Sequence, residues 1–214
     1  ASDDVDATEG GGAARRERVR VVSAIAGAAG ALKQNEQRQP YPDPLPAELA
    51  WDEFMAAHPG DAVPFGLLDL PDEQRQVPIW WTPGREGSLL VYGISGAGTS
   101  SLLVTLALGV AQRFSPDDVH IYAIDADANL LAPLDGLAHV GAVVRVDELD
   151  RLARLVAHLS TELERRKGRA LEPGGPAAVL TSEPAIVILI DNVGAVRERL
   201  DERRDLEGVW PDLE

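Results

Sequence analysis

The sequence contains no cysteine. This excludes a disulfide framework, a thiolate-ligated metal and a cysteine nucleophile together, and it suits a cytosolic compartment. Basic residues are scarce as well: 20 Lys and Arg stand against 35 Asp and Glu, a net charge of −15 at pH 7. A surface that grips nucleic-acid phosphates needs clustered Lys and Arg, so DNA binding by this chain alone is disfavoured. Long apolar runs are missing too. The longest weakly apolar segment, Val19 to Leu32, is too short and too rich in Ala and Gly to span a bilayer, and no signal-peptide pattern is read. Membrane attachment is therefore expected only through other parts of a larger protein.

What is present, in 214 residues, is enough for one medium domain with a substantial core. The stretch Ser88 to Ser101 reads as a buried strand, a glycine-rich turn and a helix start in immediate succession. Gly93-x4-Gly98 followed by Thr99-Ser100 fits the phosphate-binding pattern G-x-x-x-x-G-K-[ST] at every place except the lysine, where Thr99 stands. Gly93, Gly96 and Gly98, with Ala97 between the last two, are predicted to take positive φ angles that turn backbone N–H groups into an anion cradle. That cradle would lie at the positive end of the helix opened by Thr99, Ser100 and Ser101. In such loops the lysine ammonium sits on the β- and γ-phosphates and the neighbouring hydroxyl ligates Mg²⁺. Ser100 can do the second job; Thr99 cannot do the first. ATP and Mg²⁺ binding is thus expected to be weak or absent, and a tight turn with no ligand is the plain alternative.

The N-terminal residues 1–14 read as an acidic, glycine-rich tether. Residues 15–62 read as a helix with Val22, Ile25, Ala29 and Leu32 on one face, then a connector stiffened by Pro40, Pro42, Pro44 and Pro46, all laid on the core. Trp51, Phe54 and Met55 share one helical face and predict a short pinned helix. Residues 63–214 form the main domain. Proline-bounded apolar runs around Phe65 to Leu70 and Val77 to Trp81 predict edge strands or a hairpin, with Trp80 and Trp81 on opposite faces. Leu102 to Phe114 predicts a buried helix, Val119 to Asp125 and Gly141 to Val146 predict buried strands, and Asp147 is predicted to cap a helix running to Lys167. Gly168 to Pro184 is expected to be a mobile loop. The continuous apolar run Ala185 to Ile190 ends in Asp191, placed to hold the Mg²⁺ water shell opposite Ser100, and Asn192 stands where many ATPases carry a water-activating glutamate. Strands alternating with helices imply an α/β fold with a mainly parallel sheet.

The residues resemble the FtsK/SpoIIIE family of motor ATPases, and within it the ATPase modules of EccC-type type VII secretion proteins. The resemblance is carried by Pro64 to Asp69 and Pro71 to Gln76, by Leu89 to Leu103, by Val119 to Asp125, by Leu137 to Gly141, and by Ile186 to Asn192. It implies a RecA-like P-loop fold, a site built from Gly93 to Ser101 with Asp191 and Asn192 at the second motif, and ATP with Mg²⁺ as cofactors. It also implies that the chain is a piece of a larger protein at the inner face of the cell membrane. The departures at Thr99 and Asn192 resemble the later, degenerate modules of that family, whose partners are other ATPase modules and secreted proteins. Two readings compete with a non-hydrolysing binding module: a weakly active ATPase or DNA translocase motor of the same family, and a small P-loop kinase.

Overall fold

The computed structural model describes residues 7–31, 42–126 and 129–202. It divides into two units, one ending at Pro42 and one beginning at Asp43. In the first unit a single helix, α1 (Ala7–Ala31), begins eight residues before the predicted start and takes in Gly10 to Gly12, for which composition predicts a tether. Its apolar residues Val22 and Ile25 are exposed. Residues 32–41, which include Leu32 and Pro40, fall outside the described residues, as does everything after Glu202, whereas Pro42, Pro44 and Pro46 lie in a described stretch without helix or strand.

The second unit opens with α2 (Trp51–Ala57), which buries Phe54 and Met55 as their helical spacing predicts. A hairpin follows, β1 (Val63–Leu70) and β2 (Arg75–Trp81), antiparallel with a register shift at Gly66. The three-stranded sheet runs β4 (Val140–Arg145), β3 (Val119–Asp125), β5 (Ala185–Asp191) in that order, all parallel. Helices cover both faces. On one, α3 (Thr99–Arg113) packs Leu106, Ala107 and Val110 against Ile121, Ala123, Val187 and Leu189. On the other, α4 (Leu149–Ala170) and α6 (Val193–Asp201) pack Leu152, Val156, Val196 and Leu200 against Ile124 and Val144. Each fully buried aliphatic side chain contributes about 1.5–3 kcal/mol, so these two layers hold the sheet rigidly. Alternate residues of a strand face opposite ways, so one face of β5 carries Val187, Leu189 and then Asp191 toward α3.

Three further expectations are corrected. The run Ser88 to Tyr92 is extended but pairs with no described strand, and Tyr92 is 85% exposed. An apolar run is buried only where neighbouring strands or helices cover it, and here Leu89, Leu90, Tyr92 and Ile94 are exposed. The segment Gly168 to Pro184 is not a loop: α4 continues to Ala170, and α5 (Gly175–Ser182) follows, started by left-handed Gly174 and Pro176. Glu183 then accepts ion pairs from Arg165, Arg166 and Arg169, which anchor the segment to α4. Finally, Asp147 does not cap α4. Glu148 occupies that position without a side-chain cap bond, while Asp147 pairs with Arg145 at 2.9 Å.

Candidate functional site

At the C-terminal end of β5 lies a cleft of about 600 Å³. Leu89 to Ser95 form one wall and Ile190 to Gly194 the other, with Thr99 and Leu103 between them. It therefore joins the two motifs that the sequence singles out ninety residues apart. α3 starts at Thr99 and α6 at Val193, so two helix N-termini open on the same space.

Two of the three glycines of the turn have the positive φ expected of them, and the third is held by packing. Gly96 (φ 81°) and Gly98 (φ 90°) are left-handed, and Gly98 is the residue from which α3 departs. A side chain at either would be strained. Gly93 is not left-handed. A Cβ placed there would come within 2.9 Å of the Thr99 methyl and 3.0 Å of the Ala97 Cβ, so glycine is required by close packing. Thr99 thus turns its methyl onto Gly93 instead of presenting a cation to the cleft. The Ala97 amide donates to the Ile94 carbonyl at 3.0 Å, which tightens the turn.

Ser100 is buried, 9% exposed, in the first turn of α3, and its hydroxyl makes no hydrogen bond among the described residues. Ser101 is exposed, and its carbonyl accepts from the Thr105 hydroxyl at 2.9 Å, a contact within the helix. Asp191 is 5% exposed and sits on the α3-facing side of β5. Among the described residues no group of three or more His, Asp or Glu is placed to hold a metal. A Mg²⁺ held by Ser100 and Asp191 would draw the rest of its shell from phosphates and water, the usual condition for this ion.

Asn192 has a defined task. Its backbone is left-handed (φ 66°, ψ 67°), and its Oδ1 accepts the Ala195 amide at 3.2 Å, making it the N-cap of α6. Asparagine tolerates that conformation better than glutamate, and its short side chain reaches the capping position. The amide is consequently occupied in holding the turn and has no proton-accepting group to offer a water.

Two residues to which the sequence assigns no role neighbour those that line the cleft, without lining it themselves. Asp125 is directly in register with Asp191 on the neighbouring strand and is also buried, and its Oδ2 accepts the Leu131 amide at 2.9 Å. The signal was available, since both strands end in aspartate. Arg197 stands one turn beyond Gly194 on α6, and only the three-dimensional arrangement places it next to the cleft.

Comparison with known proteins gives a consistent picture. The model of the FtsK/SpoIIIE family matches residues 64–175, more than half of the chain. The ESX secretion system protein EccC of Geobacillus thermodenitrificans is 28% identical over 169 residues, covering 76% of this chain and 11% of that protein. The type VII secretion system protein EssC of Staphylococcus aureus (strain NCTC 8325 / PS 47) is 30% identical over 183 residues, covering 78% and 12%. The chain therefore spans about an eighth of the length of these relatives. Among solved structures, ATPases 2 and 3 of Thermomonospora curvata EccC, in complex with a signal sequence peptide, superpose with a TM-score of 0.60 at 28% identity, over 72% of this chain and 29% of that one.

Proposed function

The chain belongs to the FtsK/SpoIIIE family, and from that premise we propose that it is a nucleotide-binding but non-hydrolysing module of a type VII secretion ATPase. The observation that carries the reading is the division within the cleft. The backbone supports a phosphate site through the left-handed Gly96 and Gly98 and the α3 N-terminus, and the side chains of Ser100 and Asp191 remain available for Mg²⁺. Both side chains that would do chemistry are replaced, by a methyl-bearing Thr99 packed on Gly93 and by an Asn192 engaged as a helix cap. Losing a charged contact to phosphate costs roughly 1.5–3 kcal/mol of binding, and the loss is greater where charge grows in the transition state. ATP with Mg²⁺ therefore binds weakly and stays intact.

Such a module acts through its surface, on other ATPase modules and on secreted proteins. A related structure holds a signal sequence peptide, which supports this class of partner. Trp80 is exposed and rests edge-on against His58, whereas Trp81 packs against the core; this leaves Trp80 as the residue for partner contact. The exposed Val22 and Ile25 of α1 offer a second apolar surface. The module works in the cytoplasm, where ATP is available, at the membrane's inner face through its parent protein; no described helix is long and apolar enough to cross a membrane. Calorimetric titration with ATP, with and without Mg²⁺, tests the reading. Weak binding that strengthens with Mg²⁺ is expected, and no heat of binding at millimolar ATP would refute it.

A further inference from the structure

Among the described residues neither wall of this cleft contributes a lysine or arginine to meet a triphosphate. We propose that Arg197 supplies the positive charge that Thr99 does not, reaching from α6 to the phosphates of a nucleotide held by the Gly93 to Gly98 loop. The inference rests on the reading of the cleft as a nucleotide site, and it adds a specific residue of this chain to that site.

Three observations support it. Gly194 lines both the cleft and the adjoining groove, and Arg197 lines that groove together with Glu198, Asp201 and Glu202. Arg197 lies three residues after Gly194, so the two share a face of α6, and helical side chains lean toward the N-terminus, here toward the cleft. Arg197 is also exposed and makes no hydrogen bond or ion pair among the described residues, although three carboxylates share its groove. Its neighbour Arg199, by contrast, pairs with Glu202 at 3.0 Å. A long, unengaged guanidinium one turn into α6 can make a bidentate contact with phosphate oxygens, which the short, uncharged Thr99 side chain cannot.

The test compares ATP affinity, with Mg²⁺, of the whole chain and three variants by calorimetry. Arg197→Ala should weaken binding about tenfold, as expected for one charge-assisted contact, while thermal stability holds. Arg199→Ala, which removes the same charge from the same helix, should change affinity by less than about twofold, the scale of a screened surface charge. Thr99→Lys should recover most of the loss in the Arg197→Ala background. Unchanged affinity in Arg197→Ala, or an equal loss in Arg199→Ala, overturns the inference while leaving the site intact. If the unmodified chain binds no ATP, the site reading fails and the inference falls with it.

Discussion

The turn that carries Gly93, Ile94, Ser95 and Thr99 and the turn that carries Asp191 to Gly194 line one cleft, but the side chains of Thr99 and Asn192 are tied into their turns differently. In the first turn the backbone depends on Gly96 and Gly98, and Thr99 alters only what projects from it. In the second, Asn192 sets the backbone itself: it is left-handed and its side chain caps α6. The first turn should therefore accept an exchange at Thr99 with its backbone unchanged. In the second, exchanging Asn192 should disturb the cap of α6.

The largest effect expected from this asymmetry follows Asn192→Glu. Loss of the cap costs about 1 kcal/mol and a left-handed glutamate about 1 more, so urea denaturation should show a loss of roughly 2 kcal/mol. Turnover should not appear. If stability holds and hydrolysis rises, the two turns are equivalent after all.

Thr99→Lys should behave in the opposite way, tightening ATP binding about tenfold by calorimetry, or roughly 1.5 kcal/mol, with stability retained. No gain would mean that the first turn tolerates exchange no better than the second.

A smaller effect sharpens the account of the first turn. Gly93→Ala pushes a methyl against Thr99 and Ala97 and should cost about 1 kcal/mol in stability. Thr99→Ser removes the opposing methyl, so the pair of changes should be less harmful than their sum by about 0.5 kcal/mol. Strict additivity would show that the Thr99 methyl does not pack on Gly93.

The smallest concerns a region away from the cleft. The Arg165 guanidinium beside Glu162, helped by Arg166, holds that carboxyl down to about 2. A depressed folded-state value means the pairing stabilises above the ordinary carboxylate range and is lost as pH falls from about 4.5 toward 2. Acid titration of Glu162→Gln, followed by circular dichroism, should show a shallower loss of stability across that window than the unmodified chain, while ATP affinity at neutral pH stays constant.

Much of this was legible in the residues. The buried strands Val119 to Asp125 and Ala185 to Asp191 are continuous apolar runs, and burial on both faces produces that pattern. Trp80 and Trp81 separate into surface and core because neighbouring strand residues point to opposite faces. The loop's glycine spacing marked the turn with left-handed Gly96 and Gly98, but it could not show that Gly93 is needed for packing and not for its φ angle. Ser88 to Tyr92 misled for a related reason: apolarity signals a capacity for burial, and whether it is realised depends on strands supplied elsewhere. The α5 helix was hidden by its flanking Gly174, Gly175 and Pro176, which punctuate a loop and start a helix equally well. Arg197 has no local signature at all, because its place beside the cleft arises only from the docking of α6 on the sheet.

The central claim is that this site holds nucleotide without cleaving it, and phosphate release at saturating Mg-ATP tests that most directly. Release by the unmodified chain should match that of Asp191→Ala and of buffer alone. Release clearly above both, abolished by Asp191→Ala, would contradict the account.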